Sequence, residues 1–298
     1  MRRHASREGQ VLIKSTWGHG GLNNPGESHV GMELHLAPLE NVSCWAFRKL
    51  CVGATDTYTG MLSLSDLIRR DATWKEVDTY CIADQRQWIQ VATAKETECA
   101  AFITRLKKEL QADPSKDNVH GVQINASCPS PNLIRIGQGP ALIKRANKVC
   151  ALLRELLKQD SFKVGIKVRL GLNSTEVQQR KIIALFEEME KIGDPNLTRV
   201  TVHFKHAKDS SVTPYDYAML DELTSFKVPL VINGGFRTFK DCSRVIKSSP
   251  RNIVGVMVGR GALENPDVFN ALNQNFNGVS APKRSTQQMR EEFEELCV

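Results

Sequence analysis

An α/β fold, a (β/α)₈ TIM barrel with an irregular N-terminal extension and a short C-terminal helix, is what this 298-residue sequence predicts. Three observations carry the expectation. Short apolar runs alternate with longer helical patterns from Gly31 to about Leu272. Polar residues recur at the C-terminal ends of the short runs in one side-chain phase. Two glycine-rich turns follow the last two runs, where such barrels bind phosphate.

Taken in order, residues 1–30 hold Gly18, Gly20, Gly21, Asn23, Asn24, Pro25 and Gly26 without periodicity and read as an irregular extension. The predicted strands are Glu33–Ala37, Ala54–Tyr58, Gln87–Val91, Val119–Asn125, Lys163–Arg169, Arg199–His203, Pro229–Asn233 and Ile253–Val258, each a short apolar run of strand length. Between and after them the helical patterns are Ser43–Cys51, Ser63–Arg69, Ala94–Leu110, Pro140–Lys158, Thr175–Ile192, Tyr215–Phe226, Phe239–Lys247 and Pro266–Leu272. Ser43 and Asn265 are candidate N-caps, and Pro140, Pro214 and Pro266 sit near first turns. Such alternation implies parallel strands with right-handed crossovers, and this many units match a closed barrel better than an open doubly wound sheet. The expected organisation is therefore an extension over 1–30, a barrel over 31–274, and a tail over 275–298 whose helix spans about Gln287–Leu296. A tail of that size is too small to be a domain.

Composition sets outer bounds. Hydrophobic residues make up 41% and charged residues 24%, and no apolar run approaches the length of a membrane helix, so no membrane partner is expected. A net charge of +7 and a pI near 9.0 permit a polyanionic partner without requiring one. The eight cysteines show no Cys-x-x-Cys spacing, which indicates neither a zinc site nor a disulfide framework and suits a reducing compartment. Arg2, Arg3, Arg7 and Lys14 give the start a basic character, but glycine and histidine interrupt any amphipathic pattern, so the cytoplasm is the expected location.

Strand parity locates the site. With Ile89 and Val91 outward, Gln90 points into the barrel; with Val122 and Ile124 outward, Gln123 and Asn125 do. The same logic turns Lys167, Arg169, His203 and Asn233 inward. Singly, each polar residue has an ordinary structural use. Together, Gln90, Asn125, Lys167, Arg169, His203 and Asn233 fall in phase at the C-terminal face, where barrels of this kind carry their chemistry. Just beyond the fourth strand lies Cys128, between Ser127 and Pro129, in a loop where Pro129 and Pro131 rule out helix.

Asn233-Gly234-Gly235 and Gly259-Arg260-Gly261 supply backbone N–H groups and a guanidinium suited to phosphate. A phosphorylated ligand across a mouth rich in amide and lysine donors suggests flavin mononucleotide (FMN), with Gln90 and Asn125 on its pyrimidine edge and Lys167 near N1 and the C2 carbonyl. A sugar-phosphate aldolase site fits that far as well.

At these residues the sequence resembles the tRNA-dihydrouridine synthase family, flavin-dependent (β/α)₈ enzymes, in order from about Leu36 to Phe269. Leu36-Ala37-Pro38-Leu39 with Phe47-Arg48 resembles the opening motif, and Asn125-Ala126-Ser127-Cys128-Pro129 resembles the Asn-x-Gly-Cys-Pro loop. The likeness continues through Arg135 to Leu142, Lys167 to Gly171, Val202-His203, Asn233-Gly234 and Gly259 to Leu263. The resemblance implies FMN held by Pro38, Leu39, Gln90, Lys167, His203, Asn233, Gly234, Gly235, Gly259 and Arg260, reduced by NADPH or NADH. It also implies hydride transfer to C6 of a tRNA uracil and proton donation to C5 by Cys128, a role that calls for a thiol. Asn125, Arg169 and Lys205 are the implied substrate-binding residues; tRNA is the implied partner, with no DNA partner. The flipped-out uracil would reach the pocket at the barrel mouth.

The chain departs from that pattern at several points. Leu39 stands for methionine, Ser127 for glycine and Lys205 for arginine, and about 26 residues follow the barrel where the family has a helical domain. Ser130-Pro131-Asn132 leans toward dihydroorotate dehydrogenases, so an FMN oxidoreductase acting on a small pyrimidine is the alternative. A catalytically silent RNA-binding barrel is the third reading.

Overall fold

The computed structural model describes residues 31–77, 82, 85–112, 119–246 and 252–297. The expected extension over 1–30 lies outside the described residues. The described strands are β1 (Glu33–Leu36), β2 (Asp56–Tyr58), β3 (Leu62–Ser63), β4 (Arg86–Ala92), β5 (Val119–Ala126), β6 (Lys163–Arg169), β7 (Leu197–His203), β8 (Leu230–Asn233) and β9 (Ile253–Val258). The helices are α1 (Trp45–Leu50), α2 (Leu64–Arg69), α3 (Glu96–Ala112), α4 (Pro131–Arg135), α5 (Ala146–Leu156), α6 (Ser174–Gln178), α7 (Lys181–Glu190), α8 (Leu220–Leu223), α9 (Phe239–Ile246), α10 (Arg260–Glu264), α11 (Val268–Asn277) and α12 (Thr286–Leu296).

All strand pairings are parallel, β1 lies between β2 and β9, and the β2–β4 pairing closes the ring. The predicted barrel is the observed one. β2 and β3 both pair with β4, at Asp56↔Arg86 and Leu62↔Val91, so together they form one barrel position interrupted at residues 59–61. Thr59 bridges the gap, its N–H donating to the Trp88 carbonyl at 2.9 Å and its Oγ1 accepting from the Gln90 N–H at 3.0 Å.

Parity explains the two cores. Ile89, Val91, Val122, Ile124, Ile166 and Val202 point outward and pack with Phe102, Leu106, Leu153 and Phe186 of the helices. Ala37, Tyr58, Trp88, Val231 and Met257 form a separate apolar cluster inside the barrel. Trp88 is large enough to cross the interior, and glycine opposite makes that fit: a Cβ on Gly121 would lie 2.3 Å from the indole.

Below Trp88 sits a buried ion network. The Glu33 carboxylate accepts from Arg199 Nε at 2.9 Å and Arg86 at 2.8 Å, Asp56 accepts from Arg86 at 2.6 Å and from Trp88 Nε1 at 2.8 Å, and His35 bridges Glu33 and Tyr58. Burial alone would raise both carboxyls, but His35 and the arginines hold Glu33 down at about 2 and Asp56 well below the usual range. Ligand atoms of Glu33, His35 and Asp56 lie within 4.8 Å of one another. The two guanidiniums already neutralise these carboxylates, so the cluster is an ion network rather than a cation site.

Helix bounds differ from the sequence reading where side chains take other work. The predicted helix Pro140–Lys158 is a 3₁₀ turn, Gly139–Leu142, followed by α5. Thr175–Ile192 breaks at Arg180, whose φ of 55° is left-handed. Only Leu220–Leu223 of Tyr215–Phe226 is helical. Ser43 caps no helix, because its Oγ accepts from the Leu39 N–H at 2.7 Å and Cys44 takes the N-cap position. Asp267, not Asn265, precedes α11. The loop containing Pro131 does contain a helix: Pro131 opens α4, a first-turn position that needs no N–H donor.

The C-terminal tail is docked rather than loose. α12 starts at a capping box made by Ser285 and Gln288 and packs beside α1. Arg284 fixes it, with Nε to Asp267 at 2.8 Å, one terminal nitrogen to Glu292 at 2.5 Å and the other to the Leu50 carbonyl at 2.8 Å. Among the described residues no helix is long and apolar enough to cross a membrane.

Candidate active site

A cavity of about 600 Å³ opens at the C-terminal ends of the strands. Pro38, Leu39, Gln90, Asn125, Cys128, Lys167, Arg169, His203, Asn233, Gly234, Gly235, Gly259 and Arg260 all line it, so thirteen of the fourteen expected site residues meet there. Lys205 does not. It is buried, donates to the Ser210 and Ser211 carbonyls at 3.0 and 3.1 Å, and lies 4.6 Å from the Tyr215 ring centre. Its role is to hold the loop after β7.

The Cys128 loop is built from β5 upward. The Asn125 side-chain oxygen accepts from the Ser127 and Cys128 N–H groups at 2.9 and 2.8 Å, and its amide nitrogen donates to Gln90 Oε1 at 2.8 Å. Arg169 Nε donates to the Ser127 carbonyl at 2.7 Å and its NH1 to the His206 carbonyl at 3.1 Å, tying this loop to the one after β7. Cys128 itself is half-buried and free. A side chain at residue 127 adds a contact glycine cannot make: Ser127 Oγ accepts from Lys167 Nζ at 3.3 Å.

Lys167 is the buried cation of the mouth. Burial, aided by Arg169, pulls its ammonium down to about 7. No carboxylate pairs with it among the described residues. Burial, with Lys167, Arg169, Lys205 and Arg260 nearby, likewise pushes His203 down to about 2, so its imidazole is neutral across the physiological range.

The turns after β8 and β9 form a cradle. Gly234 and Gly235 have φ of 150° and 65°, and a Cβ on either would press into the Tyr215 ring, at 2.5 and 2.9 Å. Arg260 donates to the Tyr215 hydroxyl at 3.0 Å, while neighbouring Arg237 is held by Glu264 at 2.6 and 2.8 Å. α10 behind Gly259 has only five residues, so Arg260 and the glycine N–H groups, rather than a long helix dipole, give this corner its anion character.

Sequence reasoning missed Tyr215 and the bridging role of Ser127. Tyr215 opens a segment whose recurring apolar residues suggest a helix but which is a loop until Leu220, and Gly234-Gly235 was the local hint that a bulky group packs there. Asn125 was expected at the substrate, but its oxygen is already occupied by the Cys128 loop.

The family model described as dihydrouridine synthase matches residues 35–297. A probable tRNA-dihydrouridine synthase of Aquifex aeolicus (strain VF5) is 28% identical over 252 residues, covering 81% of this chain and 73% of that protein. A tRNA-dihydrouridine(47) synthase [NAD(P)(+)]-like protein of Homo sapiens is 25% identical over 250 residues, covering 81% and 35%. Among solved structures, morphinone reductase superposes with a TM-score of 0.53 at 12% identity, covering 86% of this chain and 88% of that one, a likeness of fold. A match running from the second residue of β1's inward face to the end of α12 takes in every element that builds the cavity, and the chain belongs to the dihydrouridine synthase family.

Proposed function

We propose that this chain is an FMN-dependent tRNA-dihydrouridine synthase in which the barrel over residues 31–274 carries the chemistry. The observation that carries this reading is the convergence of Cys128, Lys167 and Arg260 on one cavity that can take a flavin-sized ligand. The Gly234-Gly235 cradle with Arg260 fits the phosphate; Pro38, Leu39 and Gly259 would line the ring's path, with Gln90, Lys167, His203 and Asn233 facing its polar edge. When bound and reduced by NADPH or NADH, FMN would supply hydride chemistry toward uracil C6.

The chain's own residues do the rest. Cys128 donates its proton to C5, completing saturation of the C5–C6 bond. Arg169 and the Asn125 oxygen fix the thiol's backbone, so the donor meets the base in one orientation. Asn125 keeps one amide hydrogen beyond its Gln90 bond, and Arg169 keeps a free nitrogen, for the uracil carbonyls. Lys167 places positive charge where the anionic cofactor needs it. The net charge of +7 favours approach of a polyanion such as tRNA, and free thiols at the described cysteines suit the cytoplasm.

The test is direct. Purified protein should be yellow and release FMN, and with NADPH it should convert uridine to dihydrouridine in unmodified tRNA, measured by mass spectrometry of nucleosides. Colourless protein that acquires no flavin on reconstitution, or turnover of dihydroorotate without action on tRNA, would overturn it.

A further inference from the structure

Gln123 lies one inward position below Asn125 on β5, fully buried and outside the cavity lining, yet hydrogen bonds connect it to the Cys128 loop. Its Nε2 donates to Thr201 Oγ1 on β7 at 3.3 Å, and its Oε1 accepts from Gln90 Nε2 at 2.7 Å. Gln90 Oε1 accepts from Asn125 Nδ2 at 2.8 Å, and Asn125 Oδ1 accepts from the N–H groups of Ser127 and Cys128.

The chain has one direction, and the backbone sets it. Only an oxygen can accept two N–H groups, so Asn125 must face its loop with Oδ1 and Gln90 with Nδ2. Gln90 must then answer with Oε1 and turn Nε2 toward Gln123, which must answer with Oε1 and turn its own Nε2 toward Thr201. Reversing any amide puts donor against donor in a buried, low-dielectric interior, a costly mismatch.

We propose that Gln123 is a positioning residue for Cys128. It locks the Gln90 amide, which locks Asn125, which holds the Ser127–Cys128 backbone where the thiol meets the substrate. The same lock decides what Gln90 shows to the cavity: one Nε2 hydrogen and one Oε1 lone pair, in fixed places. The inference rests on the reading of Cys128 as proton donor, and one of its two readouts does not need the flavin.

Gln123→Met keeps the volume and removes both bonds; Gln123→Glu keeps the acceptor for Gln90; Thr201→Val cuts only the lower end. The first readout is anaerobic reoxidation of the NADPH-reduced flavin by unmodified tRNA, beside flavin content and the rate of reduction by NADPH. The second is the rate of Cys128 alkylation by iodoacetamide, followed by peptide mass spectrometry. Gln123→Met should slow tRNA-dependent reoxidation about tenfold or more, as expected for a displaced reacting group, with flavin content and reduction rate unchanged. Its Cys128 should alkylate faster than wild type. Gln123→Glu should recover most of both losses, and Thr201→Val should move both readouts the same way by a smaller factor, which keeps the test open if Gln123→Met does not fold. Wild-type reoxidation and alkylation in Gln123→Met, or equal defects in Gln123→Met and Gln123→Glu, would overturn the proposal. A wild-type protein that binds no flavin would defeat the functional reading, while the alkylation series would still decide the positioning role.

Discussion

Replacing Lys167 by methionine should stabilise the flavin-free protein while weakening its hold on FMN. Burial holds the Lys167 ammonium down to about 7 from the usual lysine value of 10.5. At about 1.36 kcal/mol per pH unit, that gap corresponds to a cost on the order of 5 kcal/mol below pH 7 and about 4 kcal/mol at pH 7. The sign follows from proton counting: between the two values the unfolded chain binds more protons than the folded one, so wild-type stability rises with pH across that range. Lys167→Met removes the penalty and keeps an unbranched side chain of similar length, so at pH 7 its melting temperature should rise by about 10 °C. The advantage should shrink as pH climbs from about 7 toward 10.5. Added FMN should narrow it by more than half, because only wild type gains the full ligand stabilisation, about 2.7 kcal/mol at a hundred times Kd. Thermal unfolding of both flavin-free proteins over that pH range, with and without FMN, measures all three effects. Equal stability at pH 7, or a gap that does not narrow with pH, would refute the argument.

Arg199→Met strips Glu33 of a two-nitrogen partner inside the barrel and should cost about 3–5 kcal/mol in denaturant unfolding. In wild type, Glu33 sits at about 2 against a usual 4.5, so its stabilisation is full above 4.5 and is lost as pH falls toward 2; acid titration by circular dichroism should show the loss in that window, shallower in Arg199→Met. Gly234→Ala drives a Cβ to 2.5 Å from the Tyr215 ring at a φ of 150°, and if overpacking costs about 1–3 kcal/mol, FMN affinity measured by fluorescence quenching should fall about 5- to 150-fold.

Where the chain repeats with period two, the sequence was legible. Gln90, Asn125, Lys167, His203 and Asn233 could be placed at one mouth because each occupies the inward phase of a strand whose outward phase is apolar. Phase stops being informative once the strand ends. Lys205 lies two residues past His203, where the backbone has already turned, its N–H donating to the His203 carbonyl at 2.7 Å, and so the side chain leaves the mouth. The Tyr215–Phe226 pattern looked helical because aromatic and apolar residues recur there, but Tyr215 is committed to Arg260 and Tyr217 to the Gly234 carbonyl at 2.7 Å. Long-range pairings left no local trace either: Glu33 and Arg199 are 166 residues apart in sequence and meet only when the barrel closes.

The central claim is that Cys128 and a flavin seated in the same cavity act together on uridine in tRNA. Its most direct measurement mixes anaerobically NADPH-reduced protein with unmodified tRNA, following flavin absorbance and dihydrouridine together. Wild type should reoxidise its flavin in step with dihydrouridine formation, and Cys128→Ala, with the same flavin content and the same reduction by NADPH, should do so about 10²–10⁴-fold more slowly. Reduced flavin that persists in wild type, or equal rates in the two proteins, would contradict it.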